Sequence, residues 1–540
     1  MKIKTTILTV FLQIITLSIQ SQVEKKPNVI IIVADDLGYS DIGCYGGEVE
    51  TPALDNLANE GIRFSNMQNA SMCVVSRTSL ITGNWWTKAG KGITKGPNIA
   101  QELKKKGYRT GLVGKWHLNG EPNNKGFDYF FGFLGGYASY YKGFKSYRLN
   151  SEKFTDFGEN YYSTKAFTER AIDFVSKTDA SSKKPFFLYL SYQAPHNPLQ
   201  APMEAIMKYR GKYSKGWEAI RNERIKRQIK MGIIDKSTPI PDYPKNLPNW
   251  ESLSDAQKDL EDLRMSVYAA MVDQMDAGIG KLIKVLKETK QADNTLIVFL
   301  SDNGSDSFSV MDKSLLKKGL LPGDVGSNFQ PGTGWAYASV TPHRLYKISQ
   351  HGGGVKTGAI VWWPNKIKEK GIIKSEHIHF VDIMPTILEA TSNKKNKQSD
   401  SLINSLSGKS FLNLFESKNW KRKSPLFFQF QDNRAIRTAK WSLVEVDDNG
   451  WELYSNQNDP LETNDLSKIK KNVLKKLDKK WNQWWKKYNA GADYKPISTA
   501  DSPHYKPQGD KGSGVTYKPS AMPKNLSHKK SHHGKVLASL

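Results

Sequence analysis

Residues 29–34 read Val-Ile-Ile-Ile-Val-Ala, six apolar positions with no polar alternation. A strand with one face in water alternates, so an unbroken β-branched run predicts a strand covered on both faces, as in a parallel sheet. The same texture recurs at 110–113, 186–192, 296–300 and 359–363, and segments of helical period, such as 98–106 and 164–177, lie between them. Strands alternating with helices predict an α/β domain over residues 27–423, built on a large, mainly parallel sheet sandwiched by helices.

The pattern changes near residue 424. Shorter runs at 425–430, 435–438, 441–446 and 451–454, with the turn signal Asp448-Asn449-Gly450, predict a small antiparallel sheet. Trp481, Trp484, Trp485 and Tyr488 then fall at i, i+3, i+4 and i+7, one aromatic helix face expected to pack on that sheet and complete a subdomain over 424–490. Residues 491–540 repeat Tyr-Lys-Pro from Tyr494, Tyr505 and Tyr517 and read as a basic low-complexity tail. At the other end Lys2 and Lys4 precede an apolar run, 7–19, closed by small and polar residues. This predicts a signal peptide over 1–21 and an exported protein, periplasmic or secreted. No other run approaches the ~20 apolar residues of a membrane span, so stable membrane insertion is not expected.

Composition narrows the partners. The 540 residues carry 79 Lys+Arg against 53 Asp+Glu, a formal charge of +26. That balance fits nucleic acid, an anionic membrane surface or a polyanionic substrate such as a sulfated glycan, and export argues against nucleic acid. Fourteen Trp exclude a mainly disordered chain, and two cysteines exclude both a disulfide scaffold and a Cys-rich zinc fold.

Each apolar run ends in polar residues. Asp35-Asp36 follow the first, Lys115 and His117 the second, His196 the third, and Asp302-Asn303-Gly304 the fourth. Open α/β sheets bind ligands beyond the carboxyl ends of their strands, so these residues should meet at one edge. Carboxylates with an amide oxygen suit a hard divalent cation, Ca²⁺ or Mg²⁺, better than zinc. The Lys and His groups would then neutralise an anionic substrate. Taken singly, an Asp-Asp pair or a Ser-Asp-Asn-Gly after a strand is more often a turn or a helix cap, and a lone Lys or His is usually a surface residue; their shared position at strand ends raises the joint reading.

The stretch Pro27-Asn28-Val29-Ile30-Ile31-Ile32-Val33-Ala34-Asp35-Asp36-Leu37-Gly38 resembles the opening of the type I, formylglycine-dependent sulfatases of the alkaline phosphatase superfamily. Thr51-Pro52-Ala53-Leu54-Asp55, Gly114-Lys115-Trp116-His117-Leu118, Ala194-Pro195-His196 and Ser301-Asp302-Asn303-Gly304 continue the likeness in order. Leu199-Gln200-Ala201-Pro202 and Arg344-Leu345-Tyr346-Lys347 look closest to bacterial arylsulfatases. In that family a Cys in Cys-x-Pro-x-Arg or Cys-x-Ala-x-Arg becomes formylglycine. Here the stretch is Cys73-Val74-Val75-Ser76-Arg77, with Val75 at the position that the sulfatase-maturing enzyme reads. Cys44 stands outside the motif and reads as packing.

The resemblance implies a sulfuric ester hydrolase with one Ca²⁺ per chain, held by Asp35, Asp36, Asp302, Asn303 and the formylglycine at Cys73. It further implies that a formylglycine hydroxyl, activated by Asp302, attacks sulfur to form a covalent ester, that His196 protonates the leaving oxygen, and that His117 helps release sulfate. Lys115 and Lys347 would hold sulfate oxygens and Arg77 would position residue 73. Lys356 is the fallback for Lys347, and the run Gly352-Gly353-Gly354, where the family often has Glu-Gly-Gly, predicts a looser loop. Trp85-Trp86, Tyr137, Tyr140-Tyr141 and Trp335 are candidates to stack on a substrate ring, and the charge favours a sulfated polysaccharide or oligosaccharide over an aryl sulfate. Two other functions fit the same residues: a phosphate or phosphonate ester hydrolase, and a non-catalytic polyanion-binding relative in which Cys73 is never converted.

Overall fold

The computed structural model describes residues 25–177, 184–245, 247–309, 312–392, 397–445 and 450–489. The expected signal peptide, the basic tail and all but Gly450 of the Asp448-Asn449-Gly450 turn lie outside the described residues.

An 11-stranded sheet organises the chain. Its strands are β1 (Asn28–Asp35), β2 (Ile62–Gln68), β3 (Arg109–Lys115), β4 (Tyr129–Phe133), β5 (Tyr147–Leu149), β6 (Glu152–Lys153), β7 (Phe186–Pro195), β8 (Thr295–Ser301), β9 (Lys356–Trp362), β10 (Ile372–Lys374) and β11 (Ile378–His379). They run in the order β10-β2-β9-β8-β1-β7-β3-β4-β5-β6, with β11 beside β2. The central strands β8, β1, β7 and β3 pair in parallel. The run at 359–363 became β9, which lies antiparallel between β2 and β8.

The unbroken apolar run of β1 has a direct structural cause. Ile30 and Ile32 enter one core, with Met271 and Met275 of the helix Asp255–Glu288, while Val29, Ile31 and Val33 enter the opposite core, with Leu80, Ile99 and Ile387. Each of these side chains contributes about 2 kcal/mol by leaving water, and a polar substitution on either face would forfeit that. Helix Asp255–Glu288 spans about 50 Å and starts at a reciprocal Ser254–Gln257 cap.

The C-terminal sheet is a meander of β12 (Leu426–Phe430), β13 (Asn433–Arg437), β14 (Trp441–Glu445) and β15 (Glu452–Ser455), antiparallel throughout. The helix Lys471–Tyr488 lays its aromatic face on it. Trp484 stacks on Phe427 with ring centroids 4.9 Å apart, and the Trp481 indole N–H donates to the Phe428 carbonyl. No helix among the described residues is long and apolar enough to cross a membrane.

Several aromatic expectations are corrected by burial. Trp85 packs between His379, Phe427 and Trp484, and Trp86 donates to the Gln429 carbonyl, so both join the main-sheet domain to the C-terminal sheet. Trp335 lies in a cluster with Tyr213, Trp217 and Trp250. Tyr140 is fully buried, and its hydroxyl donates to the His196 carbonyl. None of these four presents a face to a ligand.

Candidate active site

The carboxyl ends of β1, β3, β7 and β8 converge, and the helix Cys73–Thr82 enters between them. Gly114 permits this convergence, because a Cβ there would lie 1.9 Å from the Ser191 carbonyl oxygen, and β3 therefore sits close against β7. Lys115 reaches Asp35 with 2.5 Å between Nζ and Oδ2. Arg77, one turn into the helix, is fully buried and donates from Nε to Asp302 Oδ2 at 2.8 Å, and its Nη2 forms an ion pair with the same oxygen at 2.7 Å. Its Nη1 donates to Ser191 Oγ and the Lys115 carbonyl.

Lys347 places its ammonium 2.8 Å from both Asp36 oxygens. Its segment is fastened from two sides: the Lys347 N–H donates to the Ser305 carbonyl, and the Ile348 N–H donates to Ser71, two residues before Cys73. Asp36, Ser71, His117 and Ile348 all adopt positive φ, from 50° to 78°. Such conformations cost of order 1 kcal/mol or more for each residue and persist where surrounding bonds over-determine them.

Three buried carboxylates, Asp35, Asp36 and Asp302, thus face three buried cations, Arg77, Lys115 and Lys347. Burial and then the Asp302 charge push the Asp35 carboxyl up to about 8, against Lys115 and Arg77. Burial also opposes ionisation of Asp36, yet Lys347, His196 and Lys115 hold it at about 2. Burial opposes the charge on Lys347, but Asp36 and its neighbours keep its pKa well above the lysine range. The thiol of Cys73 is raised by burial, against the fields of Lys115 and Lys347.

Two histidines border this cluster. His196 Nε2 lies 3.6 Å from Asp36 Oδ2, while Nδ1 meets the Asn197 carbonyl at 2.7 Å, which fixes Nδ1 as the protonated nitrogen of the neutral ring. Burial pushes its pKa down to about 3 despite Asp36. His117 is pushed well below the usual imidazole range by burial and then by Lys115 and Arg77, and its Nδ1 is buried without a hydrogen-bond partner. Tyr137, 51% exposed, lies nearly parallel to the His196 ring, at 14° and 6.4 Å between centroids.

A hard divalent cation fits this donor set. Asp35 Oδ1 and Asn303 Oδ1 are buried with no hydrogen-bond partner, while the Asn303 amide nitrogen is turned to Asp36 Oδ1 at 2.5 Å. Carboxylate and imidazole atoms of Asp35, Asp36 and His196 converge within 4.8 Å of one another, while the Asp302 carboxylate beside them accepts from Arg77.

All ten expected site residues therefore meet at one sheet edge. Lys356 does not join them: it is half-buried beside the C-terminal sheet and donates to the Pro460 carbonyl. The Gly-rich segment is also tighter than expected. It forms a buried turn, Gly352–Val355, and a Cβ at Gly353 would meet the Leu345 carbonyl oxygen at 1.8 Å. Two participants were missed. Ser191 lies inside an apolar strand run, and Asp306, raised to about 6 by burial, sits near Lys347 and Asp36 under a hydrogen bond from Gln330. Neither has a distinguishing motif.

Comparison with known proteins agrees with the geometry. The Sulfatase family profile matches residues 27–393, and the profile described as N-sulphoglucosamine sulphohydrolase, C-terminal, matches residues 344–487. An uncharacterized sulfatase of Schizosaccharomyces pombe is 32% identical over 523 residues, covering 85% of this chain and 93% of that protein. The arylsulfatase of Klebsiella aerogenes is 32% identical over 414 residues, covering 69% and 88%. Among solved structures, Ps i-CgsB in complex with k-i-k-neocarrahexaose superposes with a TM-score of 0.65 at 28% identity, covering 88% of this chain and 96% of that one. The phosphonate monoester hydrolase of Agrobacterium radiobacter, at 17% identity and a TM-score of 0.53, shares the fold. With a profile match over most of its length and relatives of this identity and coverage, the chain belongs to the sulfatase family, enzymes that hydrolyse sulfuric esters.

Proposed function

We propose that this chain is an exported, Ca²⁺-dependent sulfatase that removes sulfate from a sulfated polysaccharide or oligosaccharide, with Cys73 converted to formylglycine. The observation that carries the reading is the position of Cys73: first residue of a buried helix, within the fields of Lys115, Lys347, Asp302 and Asp35, and one turn from Arg77. Conversion is a two-electron oxidation of the Cβ–Sγ unit, followed by exchange of sulfur for the oxygen of water with loss of hydrogen sulfide. A separate maturing enzyme supplies the oxidant.

Once converted, residue 73 would supply a nucleophilic hydroxyl in its hydrated form, and Asp35, Asp36, Asp302 and Asn303 would hold a Ca²⁺ that would offset the negative charge of the sulfate. Lys115 and Lys347 bind those oxygens, and Arg77 fixes Asp302 and the start of the helix. Fixed cations aimed at developing charge are commonly the largest catalytic contribution. His196 Nε2 delivers the proton to the leaving oxygen, its pKa raised by the arriving sulfate anion. His117, neutral and with Nδ1 unpartnered, accepts a proton when sulfate is released. Tyr137 covers the leaving group beside His196. The glycan preference is supported by the +26 charge and by the oligosaccharide bound to Ps i-CgsB.

Mass spectrometry of the tryptic peptide 64–77 from native-host protein, with sulfate release from glycans and from 4-nitrophenyl sulfate, tests this. A formylglycine mass with sulfate release is expected. An intact thiol throughout, with no release, would leave a polyanion-binding protein.

A further inference from the structure

Away from the catalytic cluster, a groove of about 520 Å³ opens between the helix Lys471–Tyr488 and the C-terminal sheet. Val473 and Leu477 line its apolar base, and three separate segments bring cations to its walls. Lys476 and Lys480 stand one turn apart on the helix, Lys423 lies on the approach to β12, and Lys440 sits beside Trp441 at the start of β14. Arg422 closes one end, pinned by Asp382 and the His377 carbonyl.

The four lysines are exposed, and none forms an ion pair with any described residue. No carboxylate lines the groove. Other exposed lysines have acidic partners, as Lys208 has Glu50 and Asp273. Convergence of unpaired cations around a half-buried indole is the chemistry that holds a sulfated sugar: ammonium groups meet sulfate oxygens while the ring takes a sugar face.

We infer that this groove is a second binding site, for a stretch of sulfated polysaccharide remote from the bond being cleaved, which keeps the polymer near the active site. The inference rests on the reading of the substrate as a sulfated glycan. The groove has a structural link to the catalytic centre: Thr438 on its wall follows Arg437, whose guanidinium donates to the carbonyl of Gln350, three residues from Lys347. Holding a polymer at a second site raises the effective concentration of its sulfate esters, so polymer but not small substrates benefits.

The test compares full-length wild type with a K423Q/K440Q/K476Q/K480Q variant and with a K226Q/K230Q/K236Q/K290Q control, which changes four other exposed lysines and so carries the same net charge. Native gels containing dextran sulfate or uncharged dextran report binding without requiring turnover. The groove variant should lose dextran sulfate affinity by at least about tenfold and show a similar rise in KM for polymer. Its turnover of 4-nitrophenyl sulfate should match wild type, and the control should behave as wild type throughout. Equal retardation of groove variant and wild type, or equal loss in the control, would overturn the site. Retardation by double-stranded DNA as strong as by dextran sulfate would overturn the choice of occupant. Loss of retardation in the groove variant alone, with no glycan desulfated by wild type, would uphold the groove and reject the substrate reading.

Discussion

Val75 bears on folding and on the proposed conversion of Cys73, and the two can be separated by substitution. Its side chain is fully buried with Ala70, Trp86, Ile348 and Phe430, on the side of the helix that joins the catalytic layer to the C-terminal sheet. Val75→Ala removes two buried methyl groups, about 1.6 kcal/mol of transfer free energy, and the residual cavity brings the cost to about 2–3 kcal/mol. Val75→Pro should behave differently. The first main-chain bond of this helix runs from the Ser76 N–H to the Met72 carbonyl, so the Val75 N–H carries no rung, and the pyrrolidine ring retains most of the apolar volume. A cost below about 1 kcal/mol is expected for Pro. Both substitutions restore a residue that the family's maturing enzymes read, so the fraction of peptide 64–77 carrying formylglycine should rise in each. Chemical denaturation measures stability, and mass spectrometry measures conversion on the same samples. Wild-type stability in Val75→Ala would refute the burial reasoning, and a loss above about 3 kcal/mol in Val75→Pro would refute the account of the helix start.

Other predictions test the centre and its supports. Asp302→Asn removes the charge that Arg77 holds and should lower sulfate release by at least about 10³-fold, while circular dichroism stays native. Adding Ca²⁺ at 100 times its Kd should stabilise the protein by about 2.7 kcal/mol, read as a chelator-reversible rise in Tm, and Asp36→Asn should abolish that rise. Burial opposes the charge on Glu462, yet Arg437 and His351 hold its pKa at about 2, below the ordinary 4.5. A depressed folded-state pKa means that this stabilisation is complete above pH 4.5 and is lost as pH falls towards 2, a span of about 3 kcal/mol. Urea unfolding should therefore find the penalty of Glu462→Gln at pH 3 to be about half or less of that at pH 6; a penalty independent of pH would refute it. Tyr137→Ala, at an exposed position, should leave Tm unchanged and lower kcat/KM for glycan up to about tenfold.

Much of this architecture is legible from local pattern. A strand buried on both faces must be apolar throughout, and β1 announces itself for that reason. Asp35, Asp36, Lys115, His117, His196, Asp302 and Asn303 stand just after such runs, where chain direction puts them at one sheet edge. Antiparallel β9 was not foreseeable as such, because strand direction depends on which neighbours close the sheet, and the alternating polar residues of β2 hid its role. Aromatics near motif segments were ambiguous for the same reason: Trp85 and Trp335 are core and Tyr137 is exposed, yet composition treats them alike.

The sequence by itself determined the fold class and the family, and it named the residues proposed as catalytic donors, since periodicity and ordered motifs are local properties of a chain. Only the tertiary structure decided how charge is shared among those donors. It placed Lys347 rather than Lys356 against Asp36, tied Arg77 to Asp302 and Ser191, and left acceptor atoms of Asp35 and Asn303 buried without partners. It also drew four distant lysines around one groove. Coulomb energy and desolvation depend on separations and burial that arise only when segments hundreds of residues apart are packed together.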